Sequence, residues 1–349
     1  MITRIGLFAL LVLSGCAPQS AEQPAPRSII GEVVALYGEN ERLLLWKHIG
    51  VTGLYAFAAD GTRVDYTEGV DYVVTTNGVA RTSDSAIYDF SSYTVANNPG
   101  GTFTWVDDPR NPPYTRFQHT YVDYNSRTPN EVIAALSPAP IRGRVMAAGD
   151  SITAGANTIS LDALGTDADS YVGLLRNHFA GQFVVENFSE AGTGLSYLTS
   201  ALPAILADDR PEVFIIAFGM NDHSNGLGYL PNFKAELVSN ANQINAAGSR
   251  VIFVGFPRKN NLWENYDEAA IITFNQAIKE AAAETGSAFV DIEAMFEAAK
   301  QKKTHIELFG DNFHHPGNYG QRIYFSGILP HLLSTPLDAS RVPSYVTLP

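Results

Sequence analysis

Apolar positions follow two different rhythms along the chain. Between residues 28 and 138 they fall in short β-type runs, among them Ile29-Ile30-Gly31-Glu32-Val33-Val34, Gly53-Leu54-Tyr55-Ala56-Phe57 and Asp71-Tyr72-Val73-Val74. Turn-forming clusters separate these runs: Asp60-Gly61, Asn77-Gly78 and Asn98-Pro99-Gly100-Gly101. No stretch before about residue 130 has three turns of helical periodicity, so the pattern predicts a β-sandwich-like unit over 28–138. Ser137-Pro138-Ala139-Pro140 reads as a linker. Beyond it, near-continuous apolar runs alternate with helical stretches. Strands are predicted at 144–148, 183–186, 212–218, 250–255 and 288–291, and helices at 169–180 and 268–285, the latter stopped by Gly286. Buried strands separated by helices imply a parallel sheet covered on both faces, an α/β architecture.

The first residues have a different character. Met1-Ile2-Thr3-Arg4 is a short basic start, and residues 5–13 are apolar but too few to span a bilayer as a folded helix. Leu13-Ser14-Gly15-Cys16 closes this segment and resembles a bacterial lipobox. The resemblance implies a signal peptide over 1–15, removed before Cys16, and a lipid on Cys16. Residues 16–27, small, polar and proline-rich, then read as a tether. The expected location is that of an exported lipoprotein, at the outer membrane on its periplasmic or surface face, with membrane contact through the lipid only. Cys16 is the single cysteine of the chain. With it lipidated, no disulfide and no cysteine nucleophile remain.

Length and charge narrow the function classes. The 349 residues allow two domains, and 45% hydrophobic with 17% charged residues is the composition of an ordinary folded protein. A net charge of −13 argues against a nucleic-acid partner, which needs a basic surface. There is no His-Glu-x-x-His, no cysteine pair for zinc and no phosphate-cradling Gly-x-x-x-x-Gly-Lys, so no metal or cofactor is expected. His223 and His305 stand alone and read as packing or surface residues. Nothing in the chain marks an oligomeric state.

Four short pieces carry candidate chemistry. Gly149-Asp150-Ser151-Ile152 directly follows the apolar run Val145-Met146-Ala147-Ala148, which puts a serine where a buried strand ends, the edge at which α/β sheets bind ligands. Gly192, in the loop after the 183–186 strand, lets a backbone N–H approach a ligand closely. Asn221, in Gly219-Met220-Asn221-Asp222, offers a side-chain donor. Asp311-Asn312-Phe313-His314-His315-Pro316 places a carboxylate and two imidazoles on one turn, just before the helix-like run 319–329. A serine hydroxyl needs a base, the base an orienting carboxylate, and the developing oxyanion a set of donors.

In this order the four pieces resemble the SGNH (GDSL-like) hydrolase family over about 141–335. The resemblance implies a flavodoxin-like three-layer α/β/α domain after the β-rich unit and ester hydrolysis through an acyl-enzyme. It makes Ser151 the nucleophile, with the Ser151 N–H, the Gly192 N–H and the Asn221 side chain as the oxyanion hole. Asp311 would work with His314 or His315. The family writes Asp-x-x-His-Pro, whereas this chain has one residue more. Spacing from Asp311 favours His314. Adjacency to Pro316 favours His315, which we take as the base, with His314 as the alternative.

The expected substrate is a small-molecule or polysaccharide ester, with O-acetyl groups on carbohydrate favoured by the setting of an exported enzyme with a β accessory unit. Competing readings are a lipase, lysophospholipase or thioesterase of the same fold, acyl transfer onto a glycan, and a glycan-binding lipoprotein with an inactive hydrolase domain. Trp105, Tyr114, Phe117 and Tyr121 are read as core, with a sugar-stacking face as the alternative.

Overall fold

The computed structural model describes residues 26–95, 97–106, 114–127, 141, 143–208 and 210–333. The signal peptide, Cys16, most of the tether and the 137–140 linker lie outside the described residues.

The N-terminal unit is built from antiparallel strands. β1 (Arg27–Val34), β3 (His48–Phe57), β4 (Arg63–Tyr66) and β7 (Thr120–Ser126) form one sheet in the order β1-β7-β3-β4. A second sheet joins β2 (Arg42–Leu43), β6 (Gly78–Arg81) and β5 (Tyr72–Val74) in the order β2-β6-β5. Asp60-Gly61 and Asn77-Gly78 turn the β3–β4 and β5–β6 hairpins, as their composition predicts.

The rest of the chain is a five-stranded parallel sheet: β8 (Arg144–Gly149), β9 (Val184–Ser189), β10 (Val213–Ala217), β11 (Arg250–Val254) and β12 (Ala288–Val290). Its order is β12-β11-β10-β8-β9, the flavodoxin-like arrangement. Each predicted strand is present, within one to three residues at its ends. Val145, Ala147, Val213, Ile215 and Phe253 are fully buried, as strands covered on both faces require. Helices Tyr171–His178, Ile292–Ala299 and Asn318–Ile328 pack together, as do Ser196–Ala207, Leu230–Ala246 and Glu268–Thr285. The Glu268–Thr285 helix matches its predicted limits. Asp267 caps its start by accepting from the Ala270 N–H, and Gly286 ends it at φ +64°. Helices Ser196–Ala207 and Leu230–Ala246 were not predicted; Pro203 interrupts the first, and polar residues such as Asn240 and Asn242 blur the apolar stripe of the second. Among the described residues no helix is long and apolar enough to cross a membrane.

The two units share a core. Val33, Leu45, Tyr55 and Tyr121 of the β-rich unit belong to the same buried cluster as Tyr319 and Ile323 of the α/β unit. The rings of Tyr55 and Tyr121 stack at 5.4 Å. Between the two units Lys303 Nζ donates to Glu32 Oε1 at 2.6 Å and to the Val33 carbonyl at 2.7 Å, with both charged side chains out of contact with water. The β-rich unit is therefore packed on the α/β unit by apolar area and by buried charge together.

Candidate active site

Ser151 opens the four-residue helix Ser151–Ala154 at the C-terminal end of β8. Asp150 caps it, its Oδ1 accepting from the Ile152 N–H at 2.9 Å. Gly149 has to be glycine: a Cβ there would sit 1.9 Å from Thr153 Oγ1 and 2.9 Å from the Ala217 carbonyl oxygen. The turn can thus fold back tightly against β10 and still present the serine, which is 7% exposed.

The loop that brings the histidines is organised by Asp311, itself 1% exposed. Its Oδ1 accepts from three successive backbone N–H groups, those of Phe313, His314 and His315, at 2.9, 3.0 and 3.1 Å. This curls the chain so that the His315 ring returns to the same carboxylate. His315 Nδ1 donates to Asp311 Oδ2 at 2.5 Å, and with that tautomer His315 Nε2 accepts from the Ser151 hydroxyl at 2.9 Å. Ser151, His315 and Asp311 form one hydrogen-bonded chain. His314 stands outside it. Its Nδ1 has no hydrogen-bond partner, and its ring lies against Phe313 with centroids 4.0 Å apart. Burial, then the charges of His315 and Lys259, hold the His314 imidazole well below its ordinary value, so it stays neutral.

Burial alone would depress the His315 imidazole as well, but the Asp311 charge and hydrogen bond outweigh it, with Asp150 and Asp162 adding to the effect. The net shift is upward from 6.5. A base must be unprotonated to act, so kcat/KM is expected to fall on the acid side with a midpoint above pH 6.5. A pH–rate profile on a neutral ester checks this. A midpoint below 6.5 would mean that another group governs the acid limb.

The three expected donors come from three strand ends. Gly192, after β9, has φ +80° and open space around its Cα. Asn221, after β10, donates one amide proton to the Thr193 carbonyl at 2.8 Å, which ties the two loops together and leaves its second proton for a ligand. Asp222 strengthens the tie by accepting from the Leu195 N–H at 3.0 Å. Burial pushes the Asp222 carboxyl up to about 6.

Other candidates resolve into packing. His223 stacks on Phe256, and its Nδ1 lies 3.2 Å from the Gly219 carbonyl. His305 stacks on Phe309 at 4.0 Å and bonds the Phe313 carbonyl through Nε2 at 3.1 Å. Tyr121 is core, whereas Trp105 and Tyr114 are 37% and 41% exposed and meet edge to face at 5.2 Å. Trp105 also faces Phe313, at 6.0 Å, so this pair borders the Asp311–His315 loop.

Asp311, His314 and His315 each offer one ligand atom, all within 4.8 Å of one another. Asp311 Oδ2 and His315 Nδ1 are already joined by a hydrogen bond. The sequence reading missed Asn157 and Arg116, which stand behind Asp311. The only local sign of Asn157 is the Gly155 break in the helix that carries Ser151.

The family model described as GDSL-like Lipase/Acylhydrolase family matches residues 147–323, just over half of the chain. The chain is 30% identical over 129 residues to a protein named Esterase TesA from Pseudomonas aeruginosa; the match covers 36% of this chain and 60% of that protein. The chain thus spans less than two thirds of that curated relative's length. Among solved structures, TesA aligns at 26% identity over 54% of this chain and 97% of its own, with a TM-score of 0.44. Axe2, an acetylxylan esterase from Geobacillus stearothermophilus, aligns at 24% identity over 56% of this chain and 95% of its own, with a TM-score of 0.45. On the family match, the chain belongs to the GDSL-like lipase/acylhydrolase family.

Proposed function

We propose that this protein is a serine esterase that works through an acyl-enzyme. The observation that carries the reading is the hydrogen-bonded chain from Ser151 Oγ through both ring nitrogens of His315 to Asp311 Oδ2. Ser151 Oγ attacks the ester carbonyl while its proton passes to His315 Nε2. Asp311 keeps the proton on Nδ1 and balances the imidazolium that forms. The oxyanion accepts from the Ser151 N–H, the Gly192 N–H and the Asn221 amide, donors of a kind worth about 10²–10³ in rate each. Collapse expels the alcohol, which takes the proton held by His315. Water, deprotonated by the same nitrogen, then releases the acid and restores the serine.

For the substrate we propose a short acyl group, acetate first, on a carbohydrate. The exposed rings of Trp105 and Tyr114 beside the Asp311–His315 loop support this, since flat aromatic faces suit the apolar face of a sugar ring. Hydrolysis of p-nitrophenyl acetate, butyrate and octanoate, followed by acetylated oligosaccharides, tests the reading. Acetate is expected to turn over fastest. Preference for octanoate would move the assignment to lipid esters. Completing the proposal, Cys16 would hold the enzyme at the envelope; membrane fractionation of Cys16→Ala beside wild type tests that part, and an unchanged membrane fraction would remove it.

A further inference from the structure

Arg116 belongs to the β-rich unit, which carries none of the candidate catalytic residues, yet it reaches the loop that carries two of them. The Thr115 and Arg116 N–H groups both donate to the Gly310 carbonyl, at 2.8 and 3.0 Å, and the Gly310 N–H donates to the His315 carbonyl at 2.9 Å. Gly310 itself lies so close to Asn157 that a Cβ would stand 2.2 Å from the Asn157 carbonyl oxygen. Segment 115–116 and Asn157 therefore grip the start of the Asp311–His315 loop from two sides.

The Arg116 side chain, 12% exposed, closes this grip. Its guanidinium lies 4.7 Å from the ring centroids of both Tyr114 and Phe117, which hold it in place through their π faces. Arg116 Nη1 donates to Asn157 Oδ1 at 2.9 Å, and Asn157 Nδ2 stands 3.5 Å from Asp311 Oδ2, the oxygen that His315 also uses. Arg116 Nε lies 2.5 Å from Asp162 Oδ2, with its N–H not aimed at the carboxylate, so this contact is one of charge rather than a hydrogen bond. Asn157 keeps a left-handed backbone at φ +66°, uncommon for a side-chain-bearing residue. A residue in that state persists where its surroundings dictate it, and here they are Arg116, Gly310 and Asp311.

We propose that Arg116 is a positioning residue for the Asp311–His315 pair: it turns the Asn157 amide toward Asp311 and neutralises Asp162. The β-rich unit is then part of the catalytic scaffold rather than a detachable recognition module. This inference rests on the reading of Ser151, His315 and Asp311 as the triad. The charged groups that bear on His315 are Asp311, Asp150 and Asp162, with the His314 ring centroid 4.0 Å away and Arg116 behind Asp162.

The test is the pH–rate profile of Arg116→Gln and Arg116→Lys on p-nitrophenyl acetate, beside Ser151→Ala and a thermal melt of each. In Arg116→Gln, kcat is expected to fall about 10- to 100-fold with KM within about threefold, the scale of a misplaced catalytic group. The acid limb is expected to move to higher pH, because the Asp162 charge is left uncancelled beside the imidazole. Arg116→Lys keeps the charge but not the planar fork, so its limb should stay in place while kcat recovers in part. A purely structural role would lower the melting temperature and leave the limb unmoved. Asp162→Asn, which does not depend on how well Arg116→Gln folds, is expected to move the limb to lower pH. Wild-type kcat and an unmoved limb in Arg116→Gln, or an unmoved limb in Asp162→Asn, overturn the inference. Turnover retained in Ser151→Ala would instead overturn the triad reading beneath it.

Discussion

Ser151→Ala is expected to lose about 10⁴-fold or more in kcat on p-nitrophenyl acetate while unfolding at the wild-type temperature. The serine is small and sits at the start of a short helix whose cap is supplied by Asp150, so removing Oγ leaves the local backbone bonds in place. The one side-chain hydrogen bond it gives up is to His315 Nε2. His315→Gln should lose about as much, because nucleophile and base act as a unit and their losses do not add. His314→Gln is the contrast. Its ring lies beside the relay, bears no hydrogen bond at Nδ1 and is neutral, so turnover should stay within about tenfold of wild type. Steady-state kinetics of the three variants, with circular dichroism of each, decides the matter. Full activity in Ser151→Ala would remove the mechanism. A His314 variant as inactive as the His315 variant would reassign the base.

The second large effect is on stability. Lys303→Met is expected to cost about 3–5 kcal/mol, the usual result of removing one partner from a buried ion pair. Lys303 Nζ is the cation for Glu32 at 2.6 Å and lies 3.8 Å from Glu307, and all three side chains are shut off from water. Methionine fills much the same volume, so the loss is electrostatic rather than a cavity. Glu32 would keep its bonds from Tyr124 and the Leu45 N–H but lose the ammonium that pairs with it. Glu32→Gln together with Lys303→Met should recover part of the loss, since the pair is then removed whole.

The pH dependence has a definite sign. Burial would raise the Glu307 carboxyl, but Lys303 and Arg42 outweigh it and hold it below 4.5. A depressed carboxylate contributes stability that is present above its unfolded value and is lost as pH falls through the folded one. Without Lys303 the folded value rises, so less stability is lost on acidification and the deficit of Lys303→Met narrows as pH falls through the carboxylate range. Urea unfolding at pH 7 and at pH 3.5 measures both effects, and an unchanged midpoint in Lys303→Met at pH 7 would refute the account.

Because Glu32 lies in β1 and Lys303 in the α/β unit, this pair resists separation of the two units. The arrangement agrees with the shared cluster around Tyr55, Tyr121 and Tyr319. An isolated 141–335 fragment would expose that cluster and leave Lys303 without Glu32.

The amino-acid sequence by itself determined what depends on neighbours along the chain. Five apolar runs specify five parallel strands, because a strand covered on both faces has no polar alternation to disguise it. The turn pairs at 60–61 and 77–78 and the cap at Gly286 are equally local. The pieces around Ser151, Gly192 and Asn221 were legible because each directly follows such a strand. What only the tertiary structure decided depends on direction and on distant partners. His314 and His315 are adjacent in sequence, and which one faces Ser151 follows from three N–H groups closing on Asp311 Oδ1, a curl that residue types alone do not specify. Arg116 and Asn157 are 41 residues apart, and Asn157 and Asp311 are 154 apart. Tyr114 and Phe117 read as aromatics of a β unit, and that their rings flank the Arg116 guanidinium is visible only in the structure. Local patterning encodes elements and their order, whereas the aim of a side chain is set by the full set of atoms that close around it.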